Sequence, residues 1–363
     1  MGVCHVTPYW LMFLLPALAA LVAHPVVGRN LDGTVRGSLP GVWVFVACAL
    51  TLLIGLRFEV GGDWFNYLRH FHVMEGQSYG YALSKSEFSH WVANKVALDL
   101  GLSVTAVNVF YALLFAVGFV VFARIQPRPW LVLAAAVPYL IIVVAMGYSR
   151  QAVALGFALI GLVALRRGRF IRFALWVLVG ATFHNSAVLL IPLAGLAASR
   201  NRLQAIAGVG LLSLIGYEFL LADKLTQLVD VYIDQQLTTS DGALIRLSMN
   251  AVAAFVYLNY RRLFDLTPGE RRLWTIASLA AIAMWAALFA TDFSTALDRM
   301  ALYLIPLQLV VAAHLPDAFG RQGAKNTGGV ALVLGYFALV QFVWLNFAGH
   351  APYWLPYQIG FAQ

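Results

Sequence analysis

Apolar residues run through this chain in long uninterrupted stretches, and that single feature limits the fold more than any other. Residues 104–122, for example, contain no charged side chain. A helix needs roughly 20 consecutive apolar residues to cross a bilayer. The apolar positions are continuous rather than alternating, which excludes a transmembrane β-barrel. Of 363 residues, 61% are hydrophobic and 11% charged, whereas a soluble domain has about a quarter of its residues charged. An ordinary soluble enzyme, a disordered chain and a coiled coil are therefore excluded.

The sequence predicts an all-α polytopic integral membrane protein with about 12 apolar segments. They fall at 7–26, 40–56, 104–122, 130–147, 150–165, 173–184, 186–199, 203–221, 243–260, 273–290, 299–315 and 327–347. The stretch from Tyr9 to Ala23 lacks the positive region that opens a signal peptide, so it reads as a retained first span. The whole of 1–363 is expected to form one transmembrane domain, because the longest loop, 57–103, is too short for a core of its own. Cys4 and Cys48 lie far apart and suggest neither a disulfide framework nor a zinc site.

Basic residues set the expected topology. They cluster at Arg29/Arg36, Arg124/Arg128, Arg166 to Arg172, Arg200/Arg202, Arg261 to Arg272 and Arg321/Lys325. All fall on one side only if 173–199 is a short helical hairpin turning near His184, not a single span. Both termini are then outside, together with the segments 57–103 and 222–242. The net charge of +8 is accounted for by these cytoplasmic loops, and no nucleic-acid motif accompanies it. The polar residues within the spans concentrate in the outer halves: Asn108, Arg150, Gln151, His184, Asn185, Glu218, Arg246, Asn250, Asp298, Arg299 and Gln341. Ionisable groups in a membrane are costly and line paired or wet sites, so this bias predicts an outward-facing aqueous site.

No GxxxxGK[ST] loop, GxSxG elbow, HExxH or zinc-spaced His/Cys cluster occurs, and no D-x-D pair is present to hold a divalent metal. No cofactor or metal is expected. Five stretches could carry chemistry, and each also has a structural reading. Arg57 to Tyr67 offers a guanidinium fork for phosphate, a Gly61-Gly62 pair and Asp63 as a base; Asp63 could instead cap a helix bearing Trp64. Glu87 could be an acid or base, or could close a capping box with Ser84. Arg150 opens a span, where it can bind an anion or snorkel to the interface. His184 sits at the hairpin turn as a proton acceptor or a satisfied core residue. Asp298 and Arg299, adjacent on a helix, need different partners; the structural reading pairs them with Arg57 or Arg150.

In order along the chain, these stretches resemble the EpsG family of Wzy-like exopolysaccharide polymerases. The resemblance rests on Arg57, Gly61, Asp63 and Tyr67; Glu87-Phe88; Arg150-Gln151; Phe183-His184 with Ser186; Asp298-Arg299 with Tyr303; and Leu355-Pro356-Tyr357. It implies a glycosyltransferase with an architecture similar to other lipid-donor (GT-C-like) membrane enzymes, in the bacterial cytoplasmic membrane. Its implied donor is a polyprenyl-diphosphate-linked oligosaccharide, and its acceptor a growing polysaccharide. A chain-length regulator and a flippase of the same pathway are further expected partners. Arg57, Arg150 and Arg299 would hold the diphosphate. Asp63 is the first choice of base, with His184, Asp298 and Glu87 as further catalytic candidates. Trp64, Tyr67, Tyr232, Tyr303 and Tyr357 would face sugar rings, although each aromatic could also serve in an interfacial belt. A flippase would need access from both sides, often with repeats, and neither is evident. A lipid-linked glycan ligase also fits the outward site. An acyltransferase would need a His activated by a nearby acid, and no H-x-x-x-x-D occurs.

Overall fold

The computed structural model describes residues 6–26, 41–198, 242–290 and 294–360. Every predicted apolar segment within these residues is helical; 203–221, 222–241 and Tyr232 lie outside them. Helices α1 (Thr7–Val22) and α2 (Gly41–Gly55) are followed by three shorter ones, α3 (Trp64–Val73), α4 (Tyr79–Ser84) and α5 (Phe88–Asp99). Next come α6 (Val104–Arg124) and α7 (Pro129–Ala136), which continues as a π-helix over Val137–Ala145. The order then runs α8 (Ser149–Arg166), α9 (Phe170–Ala181), α10 (Leu190–Ala198), α11 (Ala243–Tyr260), α12 (Pro268–Ala287), α13 (Ser294–Ala301), α14 (Ile305–Ala318) and α15 (Thr327–Phe347). Among the described residues, four helices are long and apolar enough to cross a membrane: Val104–Arg124, Ser149–Arg166, Leu297–Ala318 and Thr327–Phe347. Shorter apolar helices surround them, as fits a polytopic membrane protein.

Small residues set the closest approaches between these helices. A Cβ on Gly118 would stand 2.2 Å from the Gly156 carbonyl oxygen, so α6 and α8 meet backbone to backbone. Such contacts draw packing energy from dispersion where lipid removes the hydrophobic drive. Gly180 near the end of α9 approaches Ala154 near the start of α8, while Phe173 meets Gly161. The two helices are therefore antiparallel.

The stretch 173–199 is broken, as the charge pattern predicts. Helix α9 stops at Ala181, His184 has extended backbone (φ −153°, ψ 110°), and a 3₁₀ turn over Asn185–Leu189 leads into α10. The described basic loops, those of Arg128, Arg166, Glu270 and Lys325, meet at the opposite end of the bundle. There Arg128 pairs with Asp317 at 2.6 Å and donates to the Lys325 carbonyl, and Arg166 pairs with Glu270 at 3.0 Å. A full capping box at Thr267–Glu270 opens α12 at that end.

The segment following α15 returns across the bundle to the 56–61 turn. Phe58 N–H donates to the Gln358 carbonyl (3.0 Å) and Gly61 N–H to the Tyr353 carbonyl (2.8 Å). Trp354 is buried, and its indole N–H donates to the Ile142 carbonyl at 2.8 Å.

Candidate functional site

The end of the bundle away from the basic loops contains a cavity of about 180 Å³, walled by α3, α7's π-helix, α8, α11, α13 and the His184 turn. Asp63, Tyr67, Arg150, His184, Asp298 and Arg299 all line it. Six of the predicted site residues, drawn from distant stretches, thus converge on one polar cleft.

Glu87 does not line the cavity but lies buried behind Arg150 and His184. The capping-box alternative fails: α4 continues through Ser84, whose hydroxyl donates to the Tyr81 carbonyl. Glu87 instead precedes α5 with left-handed backbone (φ 59°, ψ 42°), uncommon without glycine and often found where function holds strain. The turn is laced to the hairpin by Ser89–Thr182 (2.7 Å) and Asn185–Ser86 (3.0 Å) side-chain bonds. The buried carboxylate therefore reaches both neighbours. Arg150 Nη1 donates to Oε2 at 2.6 Å, and His184 Nδ1 lies 2.8 Å from Oε1. Asn185 N–H adds a bond to Oε1 at 3.3 Å. A His with an acid partner does exist here; the H-x-x-x-x-D test missed it because the acid comes from another helix.

Arg150 stands in the first turn of α8, where free amide N–H groups and the helix dipole also favour an anion. It does not snorkel: its backbone N–H donates to the Tyr67 hydroxyl (3.4 Å), and its guanidinium lies over the Tyr67 ring. Asp298 pairs with neither Arg57 nor Arg150. Arg246 from α11 takes both its oxygens, Nε to Oδ1 at 2.6 Å and Nη2 to Oδ2 at 2.5 Å. Arg299 is exposed, lines the cavity and has no ion-pair partner among the described residues. Asp63 precedes α3 without capping it and accepts from Asn66 Nδ2 at 3.3 Å.

Arg57 is not part of the cleft. It is fully buried and donates to the Ile54 carbonyl (2.6 Å), the Val60 carbonyl (3.1 Å) and Ser149 Oγ (2.6 Å). It ties the end of α2 to the start of α8, so it holds Arg150's helix instead of meeting a ligand. Gly61 likewise serves packing. Its φ of +108° and the 2.2 Å from a built Cβ to the Met146 carbonyl leave no room for a side chain. Arg57→Ala is expected to lower the melting temperature and the monodisperse yield in detergent, since it strands buried carbonyls and a hydroxyl. Heated-sample size-exclusion chromatography checks this; a selective loss of ligand affinity at unchanged stability would contradict it.

Of the aromatic candidates among the described residues, only Tyr67 lines the cleft. Trp64 is buried beside Arg57 and Phe58. Tyr303 lies behind the wall, accepting from Ser186 Oγ at 3.2 Å. Tyr357 donates to the Leu53 carbonyl at 2.7 Å. Cleft residues not anticipated as site residues are Tyr139, Tyr148, Gln151, Arg246, Thr295, Leu302 and His350. For Arg246 the signal was present, as an arginine within an apolar segment at the depth of the others.

Behind Tyr67 runs a histidine pair. His70 Nδ1 lies 3.0 Å from His90 Nε2, and His90 Nδ1 2.8 Å from the Tyr111 hydroxyl. Burial first, then Arg150 and His70, pushes His90 well below the usual imidazole value. Burial, then Arg150 and Arg69, pushes His70 down to about 4. An unfolded histidine takes its proton near about 6.5, so the unfolded chain holds more protons through the window from there down to about 4. Stability is therefore expected to fall as pH drops through that window. Melting curves across it check the slope, and His70→Asn is expected to reduce it while leaving the part that His90 contributes.

Fold and cleft together define a helical membrane protein with a charged, one-ended polar site. Among the described residues, no His, Cys, Asp and Glu group is arranged to hold a metal. A model of the EpsG family matches residues 42–359, and the chain belongs to that family. No curated protein and no solved structure matches it. Family membership makes it an exopolysaccharide polymerase-type membrane protein.

Proposed function

We propose that the protein joins polyprenyl-diphosphate-linked oligosaccharide repeat units at the outer face of the cytoplasmic membrane, releasing polyprenyl diphosphate. The observation that carries this reading is the Glu87 carboxylate bridging, from behind, the cleft residues Arg150 and His184. With its Nδ1 held by Glu87, His184 has Nε2 available to accept the proton of an attacking sugar hydroxyl. The hydroxyl oxygen bonds the anomeric carbon of the donor as the bond to the diphosphate oxygen breaks. Arg150, Arg299 and the α8 N-terminus stabilise the charge that develops on the leaving diphosphate, the largest expected contribution. Asp63 and Asp298 remain in the cleft as sugar-facing carboxylates, and Asp63 is the alternative base. The basic loops at the far end of the bundle support an outward cleft by the positive-inside rule.

Purified protein in proteoliposomes with its lipid-linked repeat unit tests the reading. The expected result is a ladder of extended products with stoichiometric polyprenyl diphosphate, unchanged by excess EDTA, because arginines supply the neutralising charge. Absence of a ladder would sink the proposal. Turnover abolished by EDTA and restored by Mg²⁺ would sink the arginine mechanism.

A further inference from the structure

The cleft has two unlike parts. In one, Arg150 and Arg299 stand near the α8 N-terminus. In the other, Arg246 and Asp298 neutralise each other through a two-bond fork, and Tyr139 and Tyr148 complete the wall. A guanidinium already matched to a carboxylate has little net pull on a diphosphate, but such a pair still presents donors and acceptors to a neutral polar ligand. Tyr139 supplies the second observation. It comes from the π-helix over Val137–Ala145, a geometry frequent at functional sites. It is 5% exposed, and its hydroxyl has no hydrogen-bond partner among the described residues, although it lines a polar cavity. Buried hydroxyls are normally satisfied, so an unpartnered one on a residue of the cavity wall points to a partner that arrives with the ligand.

We infer that Tyr139, Arg246 and Asp298 form the subsite for the acceptor saccharide, with the Tyr139 hydroxyl bonding a sugar hydroxyl and selecting the acceptor. The assignment rests on the proposed polymerase reading and adds which part of the cleft takes which substrate. A sugar hydroxyl both donates and accepts. Asp298 can accept its hydrogen bond, Arg246 can donate to its oxygen, and Tyr139 can do either.

Binding, not turnover, tests it. The probes are lipid-free oligosaccharides released by mild acid from the producing strain's extracellular polysaccharide and, separately, polyprenyl diphosphate. Each is titrated against purified wild type and Tyr139→Phe. Tyr139→Phe removes one unpartnered hydroxyl and nothing that the fold uses, and Arg246→Lys serves as a second variant. Both are expected to bind the oligosaccharide roughly tenfold more weakly, as loss of a hydrogen bond to a buried partner implies, and to bind polyprenyl diphosphate as wild type does. Unchanged oligosaccharide binding in Tyr139→Phe, or no oligosaccharide binding by wild type, overturns the subsite. Failure of wild type to bind polyprenyl diphosphate instead overturns the polymerase reading.

Discussion

Glu87→Gln is expected to abolish chain extension. The substitution keeps the shape of the side chain but removes the charge that faces Arg150 at 2.6 Å and His184 at 2.8 Å. An amide can still accept one bond, but it cannot stabilise the imidazolium that forms when His184 takes the acceptor's proton. General-base catalysis contributes roughly 10²–10⁴-fold, so the loss should be of that order. Breaking a buried ion pair also costs stability, so extension must be normalised to folded, monodisperse protein. Polyprenyl diphosphate binding measured on the same sample then separates chemistry from folding. Glu87→Asp retains the charge and is expected to recover part of the activity. Near-wild-type extension by Glu87→Gln would remove Glu87 and His184 from the mechanism.

Arg150→Lys is the second large effect. Lysine keeps the positive charge but loses the planar fork whose separate N–H groups can face Glu87 and a phosphate oxygen in fixed directions. Removing a single donor from a site of developing negative charge costs roughly 10²–10³-fold in turnover, and the same order is expected here. The proteoliposome assay at saturating donor reads it. Arg57→Lys should differ in kind: its donors serve carbonyls and Ser149, so its defect should appear in thermal stability before turnover. Equal, stability-limited defects in both variants would mean that Arg150 too is only scaffold.

The helices were legible because lipid imposes long apolar runs, and the hairpin at His184 because basic residues mark one side. The cleft was legible in part as a depth: of the polar residues expected together, Arg150, Gln151, His184, Arg246, Asp298 and Arg299 share one cavity with Asp63, whereas Asn108, Asn185, Asn250 and Gln341 do not line it. Pairing was not legible. Arg246 and Asp298 lie on different helices, and no spacing rule connects them. Glu87 reads as the end of a capping box until the left-handed turn before α5 aims it inward. Arg57 resembles a phosphate ligand by residue type, and only its complete burial shows otherwise. The aromatics misled for a related reason: Trp64, Tyr303 and Tyr357 look like sugar platforms in sequence, but each is engaged in packing or in a hydrogen bond within the bundle. Tyr139, one aromatic in an apolar run, gives no signal until the π-helix places it in the cavity wall.

As proposed, the cleft opens outward and receives the lipid diphosphate. His350 is exposed at its mouth, so His350→Cys, in a background with Cys4 and Cys48 replaced by Ser, reports on it directly. An impermeant maleimide added to intact spheroplasts should label Cys at this position, and polyprenyl diphosphate should slow the labelling in a protein with Arg150 but not in one carrying Arg150→Lys. Labelling only in inverted vesicles, or a rate unaffected by polyprenyl diphosphate, would contradict the account.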